Sequence, residues 1–167
     1  MKNVYLTGFM GTGKSTVGPA LARKLGRSFA DLDALIVKAE NMSVADIFAR
    51  KGEAAFRRCE RAALARAGRR GGSVVALGGG TLLDARSRVL VERSGALVRL
   101  TCARRELARR LRPARATRPM LAGGSLDARL RALERARRGA YGRPDVVIST
   151  TRRTPGQVAA LIARRLP

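Results

Sequence analysis

The sequence predicts an α/β fold in which helices cover both faces of a five-stranded parallel sheet. Five short β-prone runs alternate with helical patterns along the 167 residues, and such alternation is typical of parallel sheets. A glycine-rich loop joins the first strand to the first helix, at the edge of the sheet where such folds bind ligands. Hydrophobic residues make up 46% of the chain, and no internal repeat or linker interrupts it. We therefore predict a single domain, residues 1–167.

The first half of the chain opens with a strand, a loop and a helix. Val17, Leu21 and Leu25 form the apolar stripe of this helix, and Gly26 is a typical C-terminal cap. A short, weak strand and three helical stretches follow, one of them ending at Gly52. The predicted strands lie at 4–7 and 28–30, and the predicted helices at 17–25, 34–40, 43–52 and 53–67.

The second half begins with the clearest buried strand of the chain, residues 73–77, which runs into three consecutive glycines. Residues 112–124 contain two Pro and two Gly without apolar periodicity, so we predict a mobile loop. Thr154 and Pro155 are typical of a helix start. The other predicted strands lie at 96–101 and 146–148, and the predicted helices at 84–93, 104–111, 125–138 and 154–165.

The residue types exclude several classes of protein. No run of about 18 apolar residues predicts a membrane span, and the loop that begins at Gly8 leaves no room upstream for a secretory signal. Cys59 and Cys102 lack the spacing of a metal site or a CxxC motif. These observations predict a cytoplasmic enzyme with free thiols. The chain has no His, so any proton transfer falls to Asp or Glu.

The net charge of +23 has two interpretations. A basic face is the usual signature of nucleic-acid binding. Alternatively the charge reflects composition, because the 35 basic residues are all Arg apart from five Lys and are scattered through most of the helices. Aromatic residues for base stacking make up only 4%. We favour composition bias with small anionic substrates, and predict no specific nucleic-acid partner.

Residues 8–16, Gly-Phe-Met-Gly-Thr-Gly-Lys-Ser-Thr, satisfy the phosphate-binding pattern of Gly, four free positions, Gly, Lys and Ser or Thr. Glycines let the main chain approach a ligand closely, and the N–H groups at the helix start favour an anion. Lys14 supplies a charge between the β- and γ-phosphates, and the Ser15 hydroxyl is a ligand for Mg²⁺. The alternative is a plain glycine-rich turn, but the order strand, loop, helix favours nucleotide binding.

Asp31 and Asp33 follow the second predicted strand. If the backbone stays extended, both carboxylates point the same way into the ligand crevice. The alternative is a helix N-terminus, where Asp is common. A P-loop enzyme needs a carboxylate near its Mg²⁺, and the strand at 73–77 ends in glycine. Asp31 is therefore the best candidate for the metal, and Asp33 for accepting a proton from an attacking hydroxyl.

Glycines and arginines supply further candidates for anion binding. Gly78, Gly79 and Gly80 expose a run of N–H groups that suits a carboxylate or phosphate, although a plain turn is the alternative. Glu60, three residues after Arg57, is placed to orient that guanidinium, although chance neighbours are common in an Arg-rich chain. In the mobile loop, Arg118-Pro119 would bring a cation to the γ-phosphate and expel water on closure. Arg137 lies four residues before Tyr141.

Together these motifs resemble the shikimate kinase family over essentially the whole chain, 4–166. The resemblance rests on GFMGTGKST at 8–16, DLD at 31–33, ADIFARKGEAAFRRCE at 45–60, LGGGT at 77–81 and RPML at 118–121. It implies a monomeric P-loop kinase with a mobile lid, about 112–124, and a helical substrate-binding segment, about 33–62. It also implies ATP-dependent phosphorylation of the 3-hydroxyl of shikimate, with Mg²⁺ as cofactor.

The resemblance assigns a role to each matching residue. Lys14, Asp33 and Arg118 are implied to be catalytic, and Ser15 and Asp31 to hold the metal. Shikimate would contact Asp33, its carboxylate would contact Arg57 and Arg137, and Gly78, Gly79 and Gly80 would line the pocket. Arg110 and the segment Arg153-Thr154-Pro155 would sandwich adenine. Gly139 stands where the family usually has Pro. The implied ATP contacts are Gly11, Thr12, Gly13, Lys14, Ser15, Thr16, Arg110, Arg118, Arg153 and Pro155.

Three alternatives remain at this point. A gluconate kinase on the same fold would share the phosphate loop and a lid arginine, and its substrate is also a carboxylate. A basic P-loop module could bind nucleic acid with ATP as a regulator. A catalytically inactive relative is the third, although every residue that the chemistry needs is present.

Overall fold

A computed structural model of the chain describes residues 1–113, 115, 119–121, 123–137 and 139–167, apart from the side chains of Arg70 and Pro119. Strands and helices alternate as the sequence predicts. The strands are β1 (Asn3–Gly8), β2 (Ser28–Asp31), β3 (Ser73–Ala76), β4 (Gly95–Thr101) and β5 (Val146–Ser149). The helices are α1 (Lys14–Leu25), α2 (Leu32–Glu40), α3 (Val44–Arg70), α4 (Ala85–Ser94), α5 (Arg104–Leu111), α6 (Leu126–Ala136) and α7 (Pro155–Arg165), with 3₁₀ turns at Thr81–Leu83 and Pro119–Leu121.

The five strands form one parallel sheet in the order β2-β3-β1-β4-β5. The central strand β1 pairs along its whole length with β4, from Asn3 opposite Gly95 to Gly8 opposite Leu100. On its other side Val4 lies opposite Val74 of β3. The predicted fold class is confirmed. Because all strands run the same way, their carboxyl ends meet at one edge, directly beneath the glycine-rich loop.

Two apolar layers cover the two faces of the sheet. Successive side chains of a strand point to opposite faces, so Val4 and Leu6 of β1 pack with α1 and α7. Tyr5, between them, packs with α2, α3 and α4 on the other face. All three are at most 2% exposed. The helices therefore lie on both sides of the sheet, as the alternation of elements requires.

A third apolar cluster lies beyond the carboxyl edge of the sheet. It joins Phe9 of the glycine-rich loop to Leu107 and Leu111 of α5, Leu130 of α6, and Leu121 of the 3₁₀ turn. Leu121 and Leu130 are completely buried. This cluster fixes α5 and α6 beside the glycine-rich loop and places the described part of the 112–124 loop within reach of it.

Helix α3 changes direction at Gly52, whose φ of 76° and ψ of 171° interrupt the helical conformation. Only glycine adopts this backbone conformation readily. The two helices predicted on either side of Gly52 are therefore confirmed as two arms of one element. The bend brings Phe48 of the first arm onto Phe56 of the second, with ring centroids 4.6 Å apart.

The structure differs from the sequence predictions mainly at element ends. Helix α2 begins at Leu32, directly after β2, two residues earlier than predicted. A 3₁₀ turn at Thr81–Leu83 was not predicted. Among the described residues, none of the helices combines the length and hydropathy needed to cross a membrane.

Candidate active site

The glycine-rich loop is wedged between β1 and α1. Gly13 is the N-cap of α1, has a φ of 95°, and provides no side-chain cap, so no side chain of the N-cap covers the start of the helix, where anions bind. At Gly8 a Cβ atom would overlap the carbonyl oxygen of Leu100, and at Gly11 it would lie 3.0 Å from Leu111 Cγ. The loop therefore fits its surroundings only with glycine at these positions.

Lys14 lies over the phosphate loop. Its Nζ donates hydrogen bonds to the carbonyl oxygens of Gly8, at 2.8 Å, and Phe9, at 3.2 Å. The Thr12 hydroxyl donates to the same Phe9 carbonyl at 2.7 Å, and Thr12 N–H does so at 3.3 Å. These bonds fold the loop around the ammonium group, which is the arrangement that a phosphate-binding lysine needs.

Asp31 combines two positions that the sequence treated as alternatives. It ends β2, and its Oδ1 caps α2 by accepting a hydrogen bond from Asp33 N–H at 3.1 Å. Its Oδ2 accepts a hydrogen bond from the Ser15 hydroxyl at 2.6 Å. A carboxylate and a hydroxyl at the start of the P-loop helix are the hard oxygen ligands that Mg²⁺ takes, so these two residues fit the predicted metal site.

Asp33 lies in the first turn of α2. The condition for pointing Asp31 and Asp33 the same way, an extended backbone, is not met, because α2 starts at Leu32. Asp31 meets Ser15, whereas Asp33 Oδ1 lies 3.2 Å from the position of a Cβ atom on Gly78. Asp33 therefore faces the glycine turn.

The glycine turn at 78–80 follows β3 and makes room for charged side chains. A Cβ atom on Gly79 would lie 2.5 Å from Arg137 Nη1, and one on Gly80 would lie 2.8 Å from Arg57 Nη2. At Gly78 it would lie 2.7 Å from Glu60 Oε1. The glycines are therefore needed for space. Two guanidinium groups converge on a turn that any side chain would obstruct.

Arg57 is held by carboxylates on both sides. Its Nη1 donates to Glu60 Oε2 at 2.7 Å and its Nη2 to Glu53 Oε1 at 3.2 Å. Partial burial lowers the pKa of Arg57, but the hydrogen bonds and charges of Glu60 and Glu53 outweigh it and leave the pKa above its ordinary value. The predicted orientation of Arg57 by Glu60 is confirmed.

Thr81 is a supporting residue that the sequence reasoning missed. Its hydroxyl donates to Glu60 Oε1 at 2.6 Å, and Glu60 is only 2% exposed. The buried carboxylate thus links the Arg57 guanidinium to the end of the glycine turn. The motif LGGGT includes Thr81, and a hydroxyl directly after three glycines was the available signal.

Arg137 is the residue after α6, where its guanidinium lies 5.8 Å from the centroid of the Phe9 ring. Its Nη2 donates to the Met120 sulfur at 3.4 Å. Arg135 instead lines a separate cavity beside α5, and Arg138 lies outside the described residues. The structure therefore brings Arg137, two positions from Arg135, to the glycine turn.

Arg110 reaches the phosphate loop from the opposite side. Its Nη1 donates to the Gly11 carbonyl at 3.3 Å and to Thr150 Oγ1 at 3.1 Å, and its Nη2 donates to the Thr150 carbonyl at 3.0 Å. Its Nε donates to Glu106 at 3.0 Å. The guanidinium is therefore fixed between the loop and the segment that follows β5.

Glu106 serves two arginines of α5. Hydrogen bonds from Arg109 and then Arg110 outweigh desolvation and lower the pKa of Glu106 to about 2. Arg153 follows β5 and donates from Nη1 to the Ser149 carbonyl at 2.6 Å, while Pro155 opens α7. Arg110 and the 153–155 segment thus lie around the same Thr150. Arg118, predicted to cover the phosphates, lies outside the described residues.

Phe48 is a second feature that the sequence reasoning missed. It is 39% exposed although it stacks on Phe56, and the Arg57 guanidinium lies 5.6 Å from the Phe56 ring. An exposed aromatic ring beside the paired arginine offers an apolar wall for a ring-shaped ligand. The chain has only four Phe, two of them eight positions apart here, which was a usable signal.

A central phosphate loop, a Ser–Asp pair at its helix and two guanidinium groups at a glycine turn define a P-loop kinase of a small anionic acceptor. The shikimate kinase family model matches residues 10–167. Shikimate kinase of Geobacter sulfurreducens is 45% identical over 162 residues, covering 97% of this chain and 89% of the relative. The corresponding enzyme of Geobacter metallireducens is 41% identical, covering 97% and 90%. The chain belongs to the shikimate kinase family.

Solved structures agree with this membership. Shikimate kinase from Acinetobacter baumannii in complex with shikimate has a TM-score of 0.89 at 31% identity, covering 98% of this chain and 92% of that one. The Bacteroides thetaiotaomicron enzyme has a TM-score of 0.88 at 30% identity, covering 98% and 97%. A gluconokinase from Sinorhizobium meliloti reaches 0.53 at 19% identity, covering 98% and 92%. That likeness reflects the shared fold alone.

Proposed function

We propose that this shikimate kinase transfers the γ-phosphoryl group of ATP to the 3-hydroxyl of shikimate with Arg57 and Arg137 holding the substrate carboxylate. The observation that carries the assignment is the convergence of both guanidinium groups on the glycine turn, beside the phosphate loop. Arginine forks bind a carboxylate through paired, charge-assisted hydrogen bonds. The N–H groups of Gly78, Gly79 and Gly80 and the exposed Phe48 ring complete a pocket for a ring-shaped carboxylate.

Asp33 is proposed to bind the hydroxyl groups of shikimate and to accept the proton of the attacking 3-hydroxyl. Its Oδ1 lies near Gly78 of the glycine turn, and Asp31 lies beside Ser15 at the phosphate loop. The chain has no His to take this task. A base within reach of the acceptor hydroxyl is one of the recurring parts of phosphoryl transfer.

The phosphates of ATP are proposed to lie in the loop from Gly11 to Thr16. The N–H groups after Gly13 and the Lys14 ammonium would hold the β- and γ-phosphate oxygens. Ser15 and Asp31 would hold Mg²⁺, which when bound supplies positive charge against the phosphates. Positioning and charge stabilisation at this loop account for most of the catalysis in such reactions.

Adenine is proposed to lie between Arg110 and the segment Arg153 to Pro155. Both groups surround Thr150, which follows the carboxyl end of β5. In the sheet, β4 lies between β5 and β1, the strand that leads into the phosphate loop. A guanidinium plane stacks well on an aromatic base. The fixed position of Arg110 supports this role, because its hydrogen bonds leave it little freedom to move.

Arg118 is proposed to approach the transferred phosphoryl group from the lid, about 112–124. The described part of this segment is anchored, because Leu121 is completely buried and its carbonyl accepts a hydrogen bond from Arg115 at 3.2 Å. Lid closure over ATP excludes water and so suppresses hydrolysis.

We further propose one kinase domain, 1–167, that acts as a monomer in the cytoplasm without a specific nucleic-acid partner. The substrate-binding segment would span about 33–62. The phosphate loop and the proposed adenine site share one sheet with the glycine turn, which supports a single unit. The high positive charge is then a property of composition that favours small anionic substrates.

The test is ADP release by the purified protein with Mg·ATP and shikimate, gluconate or no acceptor. We expect release with shikimate alone. Equal release with gluconate would contradict the role of the glycine turn, and release stimulated only by polyanions would favour the nucleic-acid alternative. A gel shift with DNA at several salt concentrations is the companion measurement, and no shift is expected at physiological salt.

A further inference from the structure

A cavity of about 490 Å³ lies between β4, α5 and α6; it reaches the phosphate loop at Phe9 and Thr12 but includes no residue of the glycine turn. Its lining is mixed: Phe9, Leu107 and the ring of Tyr141 contribute apolar surface, and Glu134 contributes a carboxylate. Four arginines line it, from three different elements: Arg99 of β4, Arg104 of α5, and Arg131 and Arg135 of α6. A cavity of this size is typical of small-molecule sites.

The positive charge of this cavity is only partly balanced. Arg104 pairs with Glu134 at 3.1 Å, and Arg131 pairs with Asp127 at 2.9 Å. Arg99 and Arg135 have no carboxylate partner within the part of the chain that the structure describes. Two cations without a counter-charge beside apolar side chains create a positive potential. The cavity therefore attracts an anion.

Arg99 is also held in position. It lies on β4 between the buried residues Val98 and Leu100, and its guanidinium lies 4.7 Å from the centroid of the Tyr141 ring. A guanidinium group that lies over an aromatic face can still donate hydrogen bonds, because its N–H groups point outward in the guanidinium plane. Arg99 thus resembles a pre-organised anchor more than a solvated surface charge.

The Tyr141 hydroxyl points to the same conclusion by an independent route. Tyr141 is 5% exposed, and its buried hydroxyl has no hydrogen-bond partner among the described residues. Leaving such a group unpaired is costly. Burial raises the pKa of Tyr141, an effect that Arg137 and Arg99 partly offset. The hydroxyl is therefore a proton donor, and arginines, which only donate, offer it no acceptor.

We propose that this cavity binds a small organic anion with an apolar ring, a ligand distinct from shikimate and ATP. The ring would lie against Phe9, Leu107 and Tyr141. A carboxylate or phosphate group would accept hydrogen bonds from Arg99, Arg135 and the Tyr141 hydroxyl. The glycine turn does not line this cavity, although Arg137, which converges on that turn, also lies beside Phe9 and Tyr141.

Benzoate is the first probe, titrated calorimetrically into the full-length protein with shikimate saturating. We expect one benzoate per chain, with affinity lowered about tenfold by Arg99→Gln or Arg135→Gln, since a charge-assisted hydrogen bond is lost. Tyr141→Phe, which keeps the ring, should weaken binding by a smaller factor. The matched control is Arg105→Gln, an exposed neighbour on α5 that does not line the cavity, and it should bind benzoate as the parent does.

Two further probes define the ligand class. Phenyl phosphate should bind more tightly than inorganic phosphate if the apolar side chains of the cavity contact the ring. Equal affinities would contradict the proposal that the ligand carries an apolar ring. Benzylamine should not bind. The site would be overturned if benzoate did not bind, or if Arg105→Gln weakened benzoate binding as much as the cavity variants do. It would also be overturned if benzoate bound with the parent's affinity to Arg99→Gln, Arg135→Gln and Tyr141→Phe. A benzoate signal that Arg57→Ala abolishes would place the probe at the carboxylate site of shikimate instead. None of these outcomes depends on turnover.

Discussion

The two halves of the proposed active site hold their arginines in different ways. On the side of the glycine turn, Arg57 binds Glu60, whose side chain is 3% exposed and is fixed in turn by Thr81. On the opposite side of the phosphate loop, Arg110 binds main-chain and hydroxyl oxygens around Thr150 and one carboxylate, that of Glu106, whose side chain is 17% exposed. The two arginine side chains are equally exposed, 24% for Arg57 and 25% for Arg110, so the two sides differ in the partners of the arginines rather than in their burial.

The difference indicates which side of the site determines substrate specificity. Buried charge networks are rigid and costly to disturb, which suits recognition of one small carboxylate. Arg110 is bound mainly by main-chain and hydroxyl oxygens, so its loss leaves no fully buried carboxylate unpaired, which suits a nucleotide whose affinity comes mainly from its phosphates. We therefore expect substitutions at the glycine-turn side to have larger effects than substitutions at the adenine side.

Asp33→Asn tests the acceptor side at the reacting atom. Removing the proposed base should lower kcat by about 10²-fold or more while the KM for ATP stays nearly unchanged. Steady-state kinetics with both substrates provide the measurement. Asp127→Asn is the matched control, because Asp127 occupies the first turn of α6 as Asp33 does in α2. Full activity of Asp33→Asn would refute its role.

Arg57→Ala removes one of the two proposed carboxylate anchors. The KM for shikimate should rise about 10–100-fold, the range expected for one lost charge-assisted interaction, with the KM for ATP within about twofold. Shikimate titrations of the variant and of Arg58→Ala, its exposed neighbour, give the comparison. Unchanged shikimate binding would move the carboxylate site elsewhere.

Glu60→Gln and Glu53→Gln separate the buried partner of Arg57 from the exposed one. Their side chains are 3% and 68% exposed, respectively. We expect Glu60→Gln to cost about 2 kcal/mol of stability, because it breaks a buried pair, and to raise the KM for shikimate about tenfold by loosening Arg57. Glu53→Gln should lower stability by less than about 1 kcal/mol and change the KM for shikimate by less than about twofold. Equal effects in thermal melts and kinetics would remove the distinction between the two carboxylates.

Arg110→Ala tests the adenine side. The KM for ATP should rise by about fivefold, as expected for one stacking contact at a surface, and the KM for shikimate should not change. Arg109→Ala is the control, since Arg109 shares Glu106 but is 74% exposed. If Arg110→Ala weakened shikimate binding as much as Arg57→Ala does, the two halves would not have the separate roles proposed for them.

The smallest effect concerns the Glu106 carboxylate, whose pKa is lowered to about 2 by Arg109 and Arg110. A lowered pKa in the folded state stabilises the protein above the unfolded value near 4.5 and loses that contribution as pH falls towards 2. Glu106→Gln should therefore melt slightly lower than the parent at pH 7, with the difference shrinking between pH 4.5 and 2. A difference that grows as pH falls would contradict the pairing.

The sequence predicted the architecture well because its signals are local. Each of the five strands was predicted within about a residue of its bounds, since short β-prone runs between capped helices leave few alternatives. The phosphate loop was equally clear, because its spacing is a local requirement of backbone geometry. The Gly52 break was also predicted, since glycine ends helices whatever the tertiary contacts are.

Side-chain direction was less predictable because it depends on non-local packing. The starting residue of α2 decides where Asp33 points, and this start was predicted two residues late. Arg137 was chosen by its spacing to Tyr141 alone, and its position beside Phe9 depends on how α6 ends, which that spacing does not explain. The glycine turn was predicted to expose N–H groups, but its lack of side chains also makes room for two guanidinium groups that arrive from distant helices.

The central place of β1 in the sheet has a consequence for how the molecule opens. β1 is paired on both edges and covered on both faces, so its amide protons exchange with solvent only when the whole sheet comes apart. β5 pairs on one edge alone, and Val147 within it is 51% exposed. We therefore expect the amide protons of the strand that carries the phosphate loop to exchange slowly, and those of β5, beside the adenine segment, to exchange faster by local opening.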